Sequence, residues 1–574
     1  MENTNKVSKE GLFHKKKLIR SAVPFLALYF MFFIYLPSDS FINNSIDFHF
    51  AYQYFIGYGV LFFLGFTVVS ILVAMLLPGR VHRIFMALVT GLDICVYIQY
   101  VFLNQNLILL DGETVAWEKH KTFATVTLIV WIAILFLFPV LQIKFAKGYE
   151  KIRVKLPFFL FAMQFVSLII MIILAGSEIF KVKADFMSGQ EQFVVSSRKN
   201  VIVFMLDAVD NIYFEKILAE NPEEFQGYED FTLYNNTCSV FDSTPTSTTQ
   251  MFTGMDFHVE LPGTEWYEQA WSSDKANEFF DRFHRAGYTI NGYSIETDSQ
   301  SHYIGKFDNC QEYTSMDDMN VDALAMSYEF NKLALYRALP FVFKKYVAME
   351  NVNFNAHFSL KNKVCYDNQD FAKQMKLSLS ESDNNYLIVQ HLNGTHFPCS
   401  DQIGETKYLL EMIRGYMEQM KELGVYDEAC IIITSDHGEH NDSHPEFGAT
   451  PIMMIKRGNS SSEEMTISSA PVYHKDFQAT LLECAGLYDK AADESVFGRS
   501  MFDIAEDELR ERTWYDRGKD SDFEKVQSLS STSWAWSGCN VYFSYTYTGD
   551  ARDFRKMVAE RNITKIYQMT DNKG

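Results

Sequence analysis

The chain has 574 residues, with 51 basic and 72 acidic side chains, 15% aromatic residues and 8 cysteines. The aromatic content excludes an intrinsically disordered chain, and the sparse cysteines exclude a small disulfide scaffold. Residues 1–198 hold 18 basic and 12 acidic residues, a net charge of +6, whereas residues 199–574 hold 33 basic and 60 acidic residues, a net charge of −27. The negative charge of the second half would repel the phosphate backbone of a nucleic acid. We therefore expect no nucleic-acid partner.

Five apolar runs fill the first third of the chain. Each has close to the roughly 20 residues that a helix needs to cross a bilayer core of about 30 Å. In chain order they are Leu18 to Leu36, Phe55 to Leu77, Ile84 to Leu103, Phe123 to Val140 and Leu156 to Ala175. The first run follows three lysines and could by itself be a secretory signal, but the four further runs favour an uncleaved anchor. The sequence therefore predicts a membrane domain with five transmembrane helices over residues 1–180.

Basic residues flank these spans unevenly. They cluster in the N-terminal tail and in the second and fourth connections, whereas the first connection, Pro37 to Tyr54, has none. The positive-inside rule places the N-terminus in the cytoplasm, and five crossings then place everything after about Gly176 outside. We expect a multi-pass protein of the cell membrane with an extracytoplasmic second half. Seven cysteines follow the spans, and pairings such as Cys365 with Cys399 stay open because spacing alone cannot assign them.

The second half has the pattern of an α/β domain. After a polar connector over residues 181–198, short runs rich in Val and Ile predict buried parallel strands at Val201 to Leu206, Tyr386 to Val389 and Ile431 to Ile433. Helical patterns such as Lys407 to Leu423 lie between them. Alternating strands and helices predict an α/β sandwich over residues 199–508. Alternating aromatic residues after Leu509 predict a small antiparallel sheet over residues 509–574.

Polar side chains follow two of the predicted strands directly. Asp207 ends the first strand, and Asp436, His437 and Gly438 follow the third. Functional groups collect at the carboxyl ends of parallel strands, and carboxylates with imidazoles are ligands for zinc. Each residue taken alone is better explained as a solvated loop residue or a helix cap.

The segment Thr244 to Gly254 carries six hydroxyl side chains in eleven residues. It could be a polar loop that caps a helix. Its spacing, with Ser247 three positions after Thr244 and Thr253-Gly254 at the end, resembles the nucleophile helix of the sulfatase and alkaline phosphatase superfamily. Further segments resemble landmarks of that superfamily in the expected order: Gly394 to Pro398, His474 to Phe477, Thr480 to Leu482 and Gly498 to Ser500.

This resemblance covers roughly residues 199 to 505 and implies roles for individual residues. Thr244 takes the nucleophile position, and Asp207, Asp436 and His437 with Thr244 take the positions of ligands to one divalent metal, Zn or Mn. His396 takes the position of a substrate-side histidine that also serves in catalysis. His444, seven residues after the metal pair, is a second candidate for substrate binding.

Five spans before such a domain resemble the lipoteichoic acid synthases and the phosphoethanolamine transferases. The motif that type I sulfatases convert to formylglycine is absent, because Thr244 replaces its Cys or Ser. The resemblance implies a metal-dependent phosphotransferase that moves a phospholipid head group to a cell-envelope glycan or lipid acceptor through a phosphothreonine. A hydrolase of the phosphodiesterase or phosphatase type on the same scaffold, or a non-catalytic membrane sensor, stays open.

Overall fold

The computed structural model describes residues 2–45, 48–104, 117–182, 185–257, 263–295, 300–313, 316–347, 349, 354–396, 398–439, 448–517, 541–560 and 562–568. The chain forms two compact units. One comprises Met1–Ala184 with Thr314–Lys361, and the other comprises Asp185–Tyr313 with Asn362–Gly574. We call them the membrane unit and the α/β unit.

The helices and strands alternate along the α/β unit, whereas the first third of the chain is helical. The helices are α1 (Glu2–Phe30), α2 (Leu36–Asn43), α3 (Gln53–Leu76), α4 (Gly79–Ile98), α5 (Lys121–Lys144), α6 (Ala146–Ile152), α7 (Lys155–Ala175), α8 (Asn211–Glu220), α9 (Thr244–Thr253), α10 (Gly263–Ser272), α11 (Asp274–Arg285), α12 (Ala323–Ala338), α13 (Phe341–Lys344), α14 (Asn368–Gln374), α15 (Gln402–Glu422), α16 (Phe477–Ala485), α17 (Lys490–Phe497) and α18 (Ala551–Ala559). The strands are β1 (Asp185–Met187), β2 (Val194–Val195), β3 (Asn200–Leu206), β4 (Phe231–Tyr234), β5 (Thr237–Cys238), β6 (Tyr288–Tyr293), β7 (Cys310–Glu312), β8 (Met319–Val321), β9 (Phe358–Leu360), β10 (Ser378–Leu379), β11 (Asn385–Leu392), β12 (Cys430–Thr434), β13 (Met453–Lys456), β14 (Thr466–Ser468), β15 (Val472–Tyr473), β16 (Glu511–Arg517), β17 (Val541–Thr548) and β18 (Lys565–Gln568).

The membrane unit confirms the five predicted spans. Its five helices that are long and apolar enough to cross a bilayer are Lys15–Asn43, Gln53–Leu76, Gly79–Leu103, Lys121–Lys144 and Ala146–Ala175. The unit also takes in α12 and α13, which the sequence places in the middle of the second half. The predicted domain boundaries, with residues 199–508 as one stretch, did not separate this segment.

Prolines and glycines shape the contacts between these spans. Pro37 has no N–H to donate to the carbonyl of Phe33, four residues earlier, and a π-helical turn over Met31–Tyr35 accommodates it. A Cβ atom on Gly59 of α3 would lie 2.6 Å from that same carbonyl oxygen. Glycine therefore lets α3 approach the carbonyl closely, as small residues do at helix contacts in membranes. The carbonyl of Leu135, four residues before Pro139, also faces a glycine. A Cβ atom on Gly91 would lie 2.8 Å from the Leu135 oxygen.

A seven-stranded sheet forms the centre of the α/β unit, with the strand order β14-β4-β13-β12-β3-β11-β6. Strands β12, β3, β11 and β6 are parallel neighbours, and β13 pairs antiparallel with β12. Helices cover both faces, so successive residues of β3 point into two different cores. Val203 and Met205 pack with α9, α11 and α16, and Phe204 and Leu206 pack with α8, α14 and α15. Burial on both faces explains why these strands are continuous apolar runs.

The C-terminal strands confirm the predicted antiparallel sheet. They pair in the order β16-β17-β18. Trp514, Phe543 and Tyr545 are buried in its core. Trp534 and Trp536, two of the alternating aromatic residues after Leu509, lie outside the described residues.

The disulfide differs from the pairing that the sequence left open. Cys430 and Cys484 are bonded, with their Cα atoms 5.7 Å apart. Cys365 and Cys399 are free thiols. The bonded pair joins β12 to the end of α16, which no local sequence pattern indicates.

Candidate metal centre and active site

Three neighbouring parallel strands bring acidic and imidazole groups to one edge of the sheet. Asp207 follows β3, His391 lies near the end of β11, and Asp436 comes two residues after β12. One potential ligand atom from each of these three residues lies within 4.8 Å of the others, and all three side chains are buried. His437 joins them, because its Nε2 lies 3.3 Å from Asp436 Oδ2 and 3.7 Å from Asp207 Oδ1.

Thr244 reaches this cluster from the first position of α9. Its Oγ1 lies 3.4 Å from His437 Nε2, and its residue is only 6% exposed. Other hydroxyls of the segment bond to the backbone instead: Thr246 donates to Ser243 O, Thr248 to Thr244 O and Thr253 to Thr249 O. The hydroxyl-rich segment is thus a buried helix, and the hydroxyl of Thr244 is the one directed at the acidic cluster.

Both histidines present Nε2 to the cluster. Nδ1 of His437 lies 2.6 Å from Gly438 O, and Nδ1 of His391 lies 2.7 Å from Ser294 O. A carbonyl oxygen only accepts hydrogen bonds, so Nδ1 carries a proton in each ring and Nε2 is the nitrogen that faces the cluster. Histidines that bind metals are oriented in this way, with the second nitrogen donating to a backbone carbonyl.

The donor set suits one divalent cation. Asp436 Oδ2 and His391 Nε2 are buried and make no hydrogen bond within the described part of the chain. Such groups carry a desolvation cost unless a cation or donor meets them. Two carboxylates, two imidazoles and a hydroxyl at this spacing fit Zn²⁺ or Mn²⁺. His391 could therefore join the expected set of Asp207, Thr244, Asp436 and His437.

The electrostatics of the cluster favour an ionised carboxylate. Burial by itself raises the pKa of Asp436, but His437 and His391, the hydroxyl of Thr244 and the N–H of Ala208 together outweigh burial and lower that pKa. Asp436 is therefore an anion at neutral pH, as a metal ligand must be.

Neighbouring groups fix the position of Asp207. The hydroxyl of Tyr366 donates to Asp207 Oδ2 at 2.9 Å. The loop after β11 packs on the backbone of the same residue: Thr395 N donates to Asp207 O, and the Thr395 hydroxyl donates to Ala208 O, both at 2.9 Å. Gly394 makes this approach feasible, because a Cβ there would lie 2.1 Å from Asp207 O.

The backbone next to Asp207 is also strained. Ala208 adopts a φ of 58°, although it carries a Cβ atom. Its N–H points at Asp436 Oδ1, 3.3 Å away. A left-handed residue that is not glycine costs of order 1 to 3 kcal/mol and is concentrated at functional sites. Here the strained conformation aims a backbone donor at a carboxylate of the cluster.

Two further residues, His396 and His444, were predicted to belong to the site. His396 is exposed and belongs to the loop that packs on Asp207, since it follows Thr395 directly. His444 lies outside the described residues. His391 was missed as a ligand, although the predicted strand over Tyr386 to Val389 runs toward it. Its position near the end of a buried strand, shared with Asp207, was the available signal.

No protein-family model matches the chain, and no curated protein sequence matches it. Solved structures similar to it include a phosphonate monoester hydrolase from Silicibacter pomeroyi, at 14% identity over 62% of this chain and 87% of that one, with a TM-score of 0.34. The lipoteichoic acid synthase LtaP from Listeria monocytogenes matches at 11% identity over 54% of this chain and 76% of that one, with a TM-score of 0.30. The integral membrane protein lipooligosaccharide phosphoethanolamine transferase A (EptA) from Neisseria meningitidis matches at 12% identity over 83% of this chain and 98% of that one, with a TM-score of 0.30. Likenesses this distant say nothing about activity.

Proposed function

We propose that this chain is a membrane-bound, metal-dependent phosphotransferase of the alkaline phosphatase and sulfatase superfamily. It moves a phospholipid head group, glycerol phosphate or phosphoethanolamine, to a cell-envelope glycan or lipid acceptor through a phosphothreonine at Thr244. The observation that carries this proposal is the hydroxyl of Thr244, at the start of a buried helix and 3.4 Å from His437 Nε2 beside Asp207 and Asp436.

Asp207, Asp436, His437 and Thr244 would hold the divalent metal, with His391 as a further donor. A bound Zn²⁺ or Mn²⁺ lowers the pKa of a coordinated hydroxyl and neutralises charge on a phosphoryl group. The chain itself contributes the N-terminus of α9, whose first N–H groups and helix dipole favour a phosphate beside Thr244. The carboxylates alone would repel that phosphate. The cation and the helix dipole both offset this repulsion.

The transfer takes two displacements at phosphorus. In the first, Thr244 Oγ1 gives up its proton and forms a bond to phosphorus while the bond to the diacylglycerol oxygen breaks, and that oxygen takes up a proton. In the second, the acceptor hydroxyl gives up its proton and forms the new bond to phosphorus, while the bond to Thr244 breaks and Thr244 Oγ1 takes up a proton. His396 is our candidate for donating and accepting these protons, because its loop packs on Asp207. His444 remains a candidate for binding the substrate.

The membrane spans suit a lipid donor. Five candidate spans precede the α/β unit, and the basic residues that flank them favour a cytoplasmic N-terminus. The α/β unit then lies outside the cytoplasm, and the disulfide Cys430–Cys484 supports this placement because such bonds persist in oxidising compartments. The catalytic domain is thereby held where lipid donor and envelope acceptor meet.

Glycerol phosphate is favoured slightly over phosphoethanolamine as the transferred group. The resemblance to the ethanolamine enzymes implies dense disulfides and often a cysteine where this chain has Gln250. Among the described cysteines, the one disulfide is Cys430–Cys484. A phosphodiesterase or phosphatase differs only in that water, rather than an acceptor hydroxyl, resolves the phosphothreonine.

Purified protein with head-group-labelled phosphatidylglycerol or phosphatidylethanolamine tests the proposal. We expect release of diacylglycerol, label on Thr244 in trapped protein, and loss of both in Thr244→Ala, whereas Thr246→Ala, which alters a neighbouring hydroxyl bonded to Ser243 O, keeps them. Turnover by Thr244→Ala at the wild-type rate would refute the covalent step. Label that appears only in water-soluble product, with every acceptor tried, would favour the hydrolase.

A further inference from the structure

A cleft of about 630 Å³ lies within the membrane unit, between α12 and the transmembrane helices. This volume is typical of small-molecule sites, which span about 300 to 1,000 Å³. Its lining residues are Phe33, Phe62, Phe66, Asp322, Leu324, Ala325, Tyr328 and Asn331. The metal centre uses none of them.

Three phenylalanines form the wall of the cleft on the side of the spans. Phe62 and Phe66 are four residues apart in α3 and therefore lie on one face of that helix. The ring of Phe33 lies 6.0 Å from that of Phe62 and stacks on that of Phe66 at 5.1 Å. At 1.5 Å per residue, Phe62 lies about 14 Å and Phe66 about 20 Å along the helix from Gln53. This wall is thus inside a hydrocarbon core of about 30 Å.

Helix α12 forms the opposite wall with one of its faces. Leu324, Tyr328 and Asn331 recur at positions i, i+4 and i+7, and Leu324 and Tyr328 are 49% and 62% exposed. The buried face carries Met326, Phe330 and Ala334, with the ring of Phe330 stacked 4.2 Å from that of Phe55. Since Phe55 lies near the start of α3, α12 crosses that end of the span. Packing therefore holds α12 in place while its second face stays open.

The polar groups of the cleft lie on the wall that α12 forms. Asp322 caps the N-terminus of α12, accepting a hydrogen bond from Ala325 N at 2.9 Å, and Asn331 adds an amide nine residues further along the helix. The far wall is entirely aromatic. A hydrocarbon chain that lies along the aromatic wall matches this lining, whereas a fully polar solute does not.

We propose that this cleft binds an acyl chain of a membrane phospholipid along its phenylalanine wall. The occupant is a lipid chain because hydrocarbon surrounds the phenylalanine wall at that depth. Lipid tails gain no hydrophobic energy by leaving the bilayer, so van der Waals contact with the aromatic wall and with α12 provides the preference for a bound chain. A role of this lipid as donor rests on the proposed function, but its binding does not.

Lipid retention by the full-length protein tests the cleft. Protein purified in detergent and delipidated is mixed with phosphatidylglycerol, and native mass spectrometry counts the lipids that stay bound. Ala325→Trp fills the cleft, and we expect it to reduce occupancy at least tenfold. Leu61→Trp places the same ring on the neighbouring, 62% exposed position of α3 and should retain the lipid. Tyr328→Ala removes an exposed wall residue without disturbing the buried face and should weaken retention as well.

The outcomes separate the cleft from the proposed reaction. Equal lipid retention in Ala325→Trp, Tyr328→Ala and wild type overturns the cleft, even if head-group transfer proceeds. Retention that is lost in Ala325→Trp and kept in Thr244→Ala supports the cleft, even if no transfer is found with any lipid. Failure of wild-type protein to retain any phosphatidylglycerol also overturns it.

Discussion

Substitution of Gly394 by alanine tests how the loop after β11 sets the metal centre. Gly394 has a φ of +58°, and a Cβ atom there would lie 2.1 Å from Asp207 O and 2.5 Å from Asp207 N. Both atoms are already used, since Asp207 N donates to Leu392 O and Asp207 O accepts from Thr395 N. Relief of the overlap must therefore move the backbone that carries the Asp207 carboxylate.

A matched control separates the contributions to the loss of stability in Gly394→Ala. Gly424 has a φ of +71°, and its Cβ would meet no atom within 4 Å. Gly424→Ala therefore measures the left-handed conformation alone, about 1 to 2 kcal/mol. Gly394→Ala adds crowding against Asp207, which typically costs about 1 to 3 kcal/mol more. We expect a total loss of about 2 to 5 kcal/mol for Gly394→Ala.

Metal affinity separates this local effect from general destabilisation. Displacing a group that orients a ligand typically costs about 10 to 100-fold in affinity. We expect that loss for Gly394→Ala in zinc titrations of the purified protein, and unchanged affinity for Gly424→Ala, with unfolding free energies measured by denaturant titration. Equal stability and equal zinc affinity in the two variants would refute the close approach of Gly394 to Asp207.

Three further predictions concern the metal centre and the spans. Tyr366→Phe removes the hydroxyl that donates to Asp207 Oδ2, so zinc affinity should fall about 10 to 100-fold, and zinc titration showing no change would contradict that positioning role. Zinc at 100 times its dissociation constant should stabilise the folded chain by about 2.7 kcal/mol and a chelator should abolish this gain, as thermal unfolding with and without chelator will show. Gly59→Ala should destabilise the chain by about 1 to 3 kcal/mol, because its Cβ would lie 2.6 Å from Phe33 O. The control Gly57→Ala, in the same helix, places a Cβ with no atom within 4 Å and should leave stability unchanged. Equal melting temperatures of the two variants would count against the close contact.

Local sequence determined the elements on which the site is built. The five spans and the strands β3, β11 and β12 were predicted because complete burial, in lipid or between two layers of helices, requires continuous apolar runs. The end of each apolar run also predicts the end of a strand. The sequence therefore places Asp207 and Asp436 at strand ends without indicating the order of the strands. The segment at Thr244 was recognised by its spacing, and the structure shows why one hydroxyl differs from its neighbours.

Contacts between distant parts of the chain determine which strand ends meet. His391 enters the cluster because β11 pairs directly with β3, and strand order depends on contacts between residues 180 or more positions apart, which leave no local pattern. The disulfide Cys430–Cys484, whose cysteines are 54 positions apart, and the assignment of Thr314–Lys361 to the membrane unit likewise depend on tertiary contacts. The sequence of α12 does not indicate its partners in the spans, which the stacking of Phe330 on Phe55 identifies.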